Sequence, residues 1–162
     1  ITIYRVPEPR PSDTTTSAAE RFVATYPDGP HDAEALFSGR NGALYIVTKD
    51  KPALVFQFPE SLRAGTPMRL ERVTVLPMEG VTDADASPGG EWIAVRSKEE
   101  IIFFREEEFT LGEHGTPISV RALNEPQGEG IAIGDDGTVY LASEGKRKQP
   151  GTFRTMKCTF PG

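Results

Sequence analysis

Three segments of this 162-residue chain repeat one pattern, and their spacing constrains the fold more than any other feature. Each opens with an acidic residue, passes through small and apolar residues to a glycine-containing turn, and continues into an apolar, β-rich stretch. The acidic residues Glu34, Asp83 and Glu129 lie 49 and 46 residues apart. A period of ~40–50 residues built from short strands is typical of β-propeller blades. The repeated segments are His31–Asp50, Val81–Glu99 and Gln127–Gly145.

The pattern predicts an all-β fold, a β-propeller with four-stranded antiparallel blades. Runs of Val, Ile, Phe, Tyr and Thr indicate the strands, and glycine-containing turns separate them. The segment Glu106–Gly115 is predicted to be a loop. The predicted second strands are Leu44–Val47, Trp92–Val95 and Val139–Ala142, the third strands Leu54–Phe58, Ile101–Arg105 and Thr152–Thr155, and the fourth strands Leu70–Leu76 and Ile118–Leu123.

The strand count predicts about two complete blades and two incomplete terminal blades in a single partial propeller, 1–162. Ile1–Val6 and Arg21–Tyr26 match a third and a fourth strand, and the final segment lacks a fourth. Bare sheet faces and edges favour association. We therefore expect another polypeptide, or missing N-terminal blades, to complete the ring. The predicted units are 1–30, 31–77, 78–125 and 126–162.

Composition narrows the class of partner. The formal net charge of −6 argues against nonspecific nucleic-acid binding, which depends on a cationic surface. No apolar run approaches the ~20 residues that a transmembrane helix needs. We therefore expect neither nucleic acid nor a transmembrane segment.

The segments HDAEALF, LYIVTKD and GEGIAIGDDGTVYLASEG resemble secreted six-bladed propellers that are related to phytase-like and SdiA-regulated esterase-like propellers. The segments ITIYRVPEP, VTDADASPGG and EPQGEGIAI resemble the C-terminal part of bacterial propellers of unassigned function. The resemblance extends from Ile1 to Phe160 and implies an extracytoplasmic location, secreted or periplasmic. One departure is the segment Ser87–Gly90, which reads SPGG where the family has SPDG.

Two interpretations of the acidic residues remain open. First strands of propeller blades line the central channel, so the carboxylates could gather there and bind Ca²⁺, as the phytase-like resemblance implies. Alternatively, Lys49 could neutralise Glu34, and Arg96 could neutralise Asp83, as structural ion pairs. No cofactor other than Ca²⁺ is expected, and the sequence leaves undetermined whether these residues bind a metal. The candidate acidic residues are Glu34, Asp83, Glu129, Asp32 and Asp85.

No catalytic residue is assigned. The chain contains no nucleophile elbow, phosphate-binding loop or dinucleotide fingerprint. Its histidines, His31 and His114, lack zinc-site spacing, although His31 beside Asp32 could act as a general acid or base. The single cysteine, Cys158, could form a disulfide with a partner or act as a small buried apolar residue.

Aromatic side chains of the third strands should pack between blades, and Trp92 should be at least partly buried. The aromatic residues of the third strands are Phe56, Phe58, Phe103 and Phe153.

Two functions from different classes are consistent with the sequence. One is a noncatalytic extracytoplasmic binding or scaffold module within a larger ring or assembly, which we favour. The other is a calcium-dependent phosphoesterase or esterase of the phytase-like type.

Overall fold

A computed structural model describes residues 1–113 and 115–161. Strands account for 48% of the residues and helices for 8%, so the all-β prediction is confirmed. His114 lies outside the described residues. The first seven strands are β1 (Thr2–Arg5), β2 (Glu20–Thr25), β3 (Ala33–Ser38), β4 (Leu44–Thr48), β5 (Ala53–Gln57), β6 (Met68–Arg69) and β7 (Glu71–Leu76). The remaining elements are β8 (Val81–Ala86), β9 (Trp92–Ser97), β10 (Glu100–Arg105), helix α1 (Glu106–Leu111), β11 (Ile118–Ser119), β12 (Gln127–Ile133), β13 (Thr138–Glu144) and β14 (Thr152–Lys157), with short 3-10 helices at Arg40–Gly42 and Arg121–Leu123.

The strands form four sheets, none of which is closed. Sheet I has the order β1-β2-β6, and β6 runs parallel to β2. Sheets II (β3-β4-β5-β7) and III (β8-β9-β10-β11) are four-stranded and antiparallel throughout. Sheet IV (β12-β13-β14) is antiparallel and three-stranded. The predicted four-stranded antiparallel units are therefore present in sheets II and III.

Each first strand of sheets II, III and IV carries a β-bulge at the same place. The extra residues are Glu34, Thr82 and Glu129, which lie 48 and 47 residues apart. Asp83 is the residue after its bulge, whereas Glu34 and Glu129 are themselves the bulge residues of their strands. The prediction that Asp83 occupies the same position of the repeat as Glu34 and Glu129 is therefore wrong, because Thr82 occupies that position.

Apolar cores join the sheets in chain order. One core lies between sheets I and II around Phe22 and Phe56, and a second lies between sheets II and III around Tyr45 and Phe104. A third lies between sheets III and IV around Leu141. Each inner sheet therefore buries both of its faces, which explains runs such as IIFF that are apolar on every residue.

Helix α1 replaces part of the loop predicted for Glu106–Gly115. Three glutamates occupy its first turn, where negative charge interacts favourably with the helix dipole. Phe109 is fully buried between sheets II and III, with its ring edge-on to Phe37, Tyr45 and Phe104. A six-residue helix has little intrinsic stability, so this aromatic contact is what holds α1 in place.

Two predicted fourth strands are shorter than expected. The predicted strand Leu70–Leu76 is β7 from Glu71 onward, whereas β6 before it pairs with sheet I. In sheet III only Ile118–Ser119 pairs with β10, and a 3-10 turn follows.

The packing of the aromatic residues mostly follows the prediction. Phe56 and Phe58 are buried, and Phe103 packs against the core between sheets III and IV. Trp92 is partly buried and stacks on Phe160. Phe153, in contrast, is 66% exposed and packs into no core. Its side chain lies on the outer face of sheet IV, which no other described element covers.

Candidate binding surfaces

Glu34 and Lys49 form the first of the two predicted ion pairs. Their side chains are in hydrogen-bond contact, and each is about one-third exposed. Hydrogen bonding to Glu34 raises the pKa of Lys49, and the nearby carboxylates of Asp32 and Glu129 contribute in the same direction. Three predicted acidic residues, from sheets II and IV and from the segment before β3, thus lie around one ammonium group. This polar cluster lies where the first strands begin.

Asp83 and Asp85 bridge sheets III and IV. Asp83 Oδ2 accepts a hydrogen bond from the Ile131 amide at 2.8 Å, and Asp85 Oδ2 accepts one from the Ile133 amide at 2.9 Å. These amides belong to β12, whose only strand neighbour in the described structure is β13. The two carboxylates therefore satisfy donors on the open edge of β12. Burial raises the pKa of Asp83, and the hydrogen bonds that its carboxylate accepts from backbone amides oppose that shift.

Arg96 does not form the predicted ion pair with Asp83. The two residues are direct neighbours across β8 and β9, but the guanidinium reaches past Asp83 to Glu125, at 2.8 Å. A second nitrogen donates to the Gly130 carbonyl oxygen at 2.8 Å. The side chain of Arg96 is 0% exposed and that of Glu125 is 3% exposed. This buried pair, from opposite sides of the III–IV interface, is the main correction to the predicted site.

Gly128 makes room for this pair. Its Cα lies against the Arg96 guanidinium, and any side chain at this position would overlap Nη2. Glu125 Oε1 is buried and has no hydrogen-bond partner. The sequence signal for Glu125 was slight, because it lies in a loop segment, Asn124–Pro126, outside every repeat.

The predicted calcium ligands do not form a group of metal-binding residues within the described part of the chain. Glu129 accepts a hydrogen bond from Gln127 Nε2 at 2.5 Å, so it is engaged within its own strand. Across residues 1–113 and 115–161, no group of three or more His, Cys, Asp or Glu residues is arranged to hold a metal ion.

The outer face of sheet IV is exposed at positions that are buried in its neighbours. By strand register, Tyr140 corresponds to Tyr45 of sheet II and Ala94 of sheet III. Those two residues are 4% and 0% exposed because the following sheet covers them, whereas Tyr140 is 38% exposed. Tyr140 stacks on Phe153, with 6.1 Å between ring centroids. We call this surface, which consists of Ala132, Tyr140, Ala142, Phe153 and Thr155, the outer face of sheet IV.

His31 is bound by two carboxylates, neither of which is its neighbour Asp32. Its Nδ1 lies 2.7 Å from Asp50 and its Nε2 lies 2.9 Å from Asp28. The hydrogen bond with Asp28 raises the pKa of His31 and lowers that of Asp28. The imidazole ring therefore connects the segment before β3 to the turn after β4.

Cys158 is a free, half-buried thiol just after β14. It packs beside the core between sheets III and IV, and burial raises its pKa. A raised pKa lowers the fraction of reactive thiolate. These properties are those of the apolar-residue interpretation, and a disulfide with a partner chain stays a prediction.

Comparisons with protein-family models and with curated proteins found no match for this chain. Among the described residues, no helix is long and apolar enough to cross a bilayer.

Proposed function

We propose that this chain is part of a β-propeller and acts as a noncatalytic binding or scaffold module within a larger assembly. The outer face of sheet IV is the surface that binds the partner. The observation that supports the proposal is a difference in burial at one position of the repeat. Tyr45 of sheet II and Ala94 of sheet III are buried there, whereas Tyr140 of sheet IV is exposed. A partner β-sheet with an apolar face would cover this surface as sheet III covers sheet II.

The repeated bulges support the propeller part of the proposal. Glu34, Thr82 and Glu129 recur every 47 or 48 residues, each in the first strand of its sheet. Bulges are structural devices that recur at fixed places within a family of folds. Sheets packed face to face in chain order are the arrangement that propeller blades adopt.

The contacts of the charged side chains support a noncatalytic role. Asp83 and Asp85 hold backbone amides, Lys49 holds Glu34, and Arg96 holds Glu125. Groups occupied in this way stabilise the packing of the sheets. The extracytoplasmic location rests on the resemblance to secreted propellers alone.

The calcium-dependent phosphoesterase or esterase is the second candidate, and it too rests on resemblance. A calorimetric titration with Ca²⁺ tests it directly. Heat of binding that Asp83→Asn removes would favour this candidate over the scaffold.

The partner-binding proposal is tested by placing a photo-crosslinking phenylalanine analogue at Phe153 in cells that make the protein. The control carries the analogue at Leu111, which is 72% exposed and lies on α1, away from sheet IV. We expect one polypeptide to be captured from Phe153 and not from Leu111. With that polypeptide purified, Phe153→Lys should weaken binding at least about tenfold, whereas Leu111→Lys should not.

Two results would contradict the proposal. One is a crosslinking pattern from Phe153 that is the same as that from Leu111. The other is unchanged affinity of the Phe153→Lys variant for the captured polypeptide. Because Phe153 packs into no core, the variant should fold normally, and circular dichroism checks this.

A further inference from the structure

We infer that the free edge of β1 is a strand-addition site, which binds an extended polypeptide segment with apolar side chains on alternate residues. The inference rests on the proposed function, because it treats sheet I as the outer part of a propeller blade. It adds a second surface, at the opposite end of the row of sheets from sheet IV, and specifies the chemistry of its ligand.

The backbone of β1 offers the first half of the argument. Ile1 and Ala24 exchange two hydrogen bonds, at 2.8 and 3.0 Å, so alternate residues from Ile1 onward face β2. The amide and carbonyl groups of Thr2 and Tyr4 consequently face the other side. Sheet I ends at β1 on that side. An edge of this kind is a template for another strand.

The second half of the argument is an apolar groove beside that edge. It has a volume of about 560 Å³ and lies between β1 and sheet II. The groove continues the core between sheets I and II, since Ile3, Leu44 and Leu62 pack against that core and also line the groove. Its floor includes Leu36, which is 44% exposed.

Leu36 identifies the class of occupant. By register it corresponds to Ala84 of sheet III and Ile131 of sheet IV, which are 3% and 6% exposed. The preceding sheet covers those two residues, and in sheet III the covering elements are β3 and β4. Leu36 lacks such a cover among the described residues. A strand of the β4 type, placed beside β1 as β4 is placed beside β5, would supply the part of this cover that lies next to β1.

The register of sheet II also sets the direction and pattern of the ligand. β4 runs antiparallel to β5, and its residues alternate between the two neighbouring cores, with Ile46 in one and Val47 in the other. A segment bound to β1 should likewise run antiparallel, with every second side chain directed into the groove above Leu36.

The probe for this site is an acetylated, amidated peptide with the sequence of residues 42–49, which contains β4. A scrambled peptide of the same composition is the control. We expect the β4 peptide to slow hydrogen exchange at the Tyr4 amide at least about tenfold, with the scrambled peptide leaving it unchanged.

Two substitutions at one position separate backbone pairing from side-chain contact. Tyr4→Pro removes the amide that faces the free edge and leaves the hydrogen bonds to β2 intact. Tyr4→Thr keeps the amide and removes the aromatic ring. Peptide affinity should fall at least about tenfold in Tyr4→Pro and change less than about threefold in Tyr4→Thr. Leu36→Asp should also abolish binding, because it places a charge on the groove floor.

Several results would overturn the inference. They are unchanged Tyr4 exchange at millimolar peptide, equal affinity of the two Tyr4 variants, and self-association of the chain through β1 detected by light scattering, which would make a second copy the occupant. Because Phe153 lies on sheet IV, its crosslinking result is independent of the peptide result. If Phe153 captures a partner and the peptide fails to bind, the proposed function stands and the β1 site is wrong.

Discussion

Breaking the buried Arg96–Glu125 pair by removing one partner should destabilise the protein more than breaking any other ion pair in the described residues. Replacing Glu125 by Met keeps most of the side-chain volume and removes the carboxylate. The guanidinium, 0% exposed, then keeps its bonds to the Gly130 and Ser97 carbonyls and the electrostatic attraction of the neighbouring Asp83, but it loses its hydrogen-bonded carboxylate. Breaking a buried ion pair by removing one partner costs about 3–5 kcal/mol. For a chain of this size, the thermal midpoint should fall by about 6–20 °C.

A matched control separates burial from charge. Glu34→Met removes the carboxylate of an ion pair that is about one-third exposed and sits at the bulge of β3. Solvent screens such pairs, so this change should cost no more than about 1 kcal/mol. Urea denaturation monitored by Trp92 fluorescence, with the free energy of unfolding extrapolated to water, measures both variants.

The double variant Arg96→Met/Glu125→Met completes the test. It removes both charges, so it should recover at least about 2 kcal/mol relative to Glu125→Met. The reasoning is refuted if Glu125→Met costs as little as Glu34→Met, or if the double variant is less stable than Glu125→Met. Either result would mean that the guanidinium finds water or another acceptor when the carboxylate is absent.

Two further predictions follow from helix α1 and from the histidine cluster. Phe109→Ala should lower the free energy of unfolding by about 3–5 kcal/mol, because the truncated side chain leaves a cavity. Leu111→Ala, on the exposed side of α1, should lower it by less than about 0.5 kcal/mol. Equal losses for the two variants in urea denaturation would show that Phe109 does not anchor the helix. The pKa of His31 is raised in the folded protein, so the stability that His31 contributes is complete below its ordinary pKa of 6.5 and is lost as the pH rises through the folded-state value. The pKa of Asp28 is lowered, so the stability that Asp28 contributes is lost as the pH falls through that lowered value. The urea midpoint of the unmodified chain should therefore decrease above pH 6.5, and His31→Gln should flatten this decrease; an unchanged profile in the variant would contradict the assignment.

The repeat, the strands and the turns could be predicted from the sequence because they depend on local chemistry. Glycine-containing turns and β-branched runs specify hairpins with little help from distant residues. The Glu34–Lys49 pair was predictable for a related reason, since both residues flank the same hairpin. Helix α1 escaped prediction because its stability comes from Phe109 packing between two sheets, which no local pattern records.

The tertiary structure decided which side chains meet across sheets. Asp83 and Asp85 reach the open edge of β12, and Arg96 contacts Glu125 rather than Asp83, because sheets III and IV pack face to face and bring β12 and the loop before it beside β8 and β9. It also decided that Tyr140 is exposed, although its equivalents in the other sheets are buried. Sequence period determines which residues share a position in a repeat, but burial depends on whether a neighbouring sheet covers that position, and only the packed sheets contain that information.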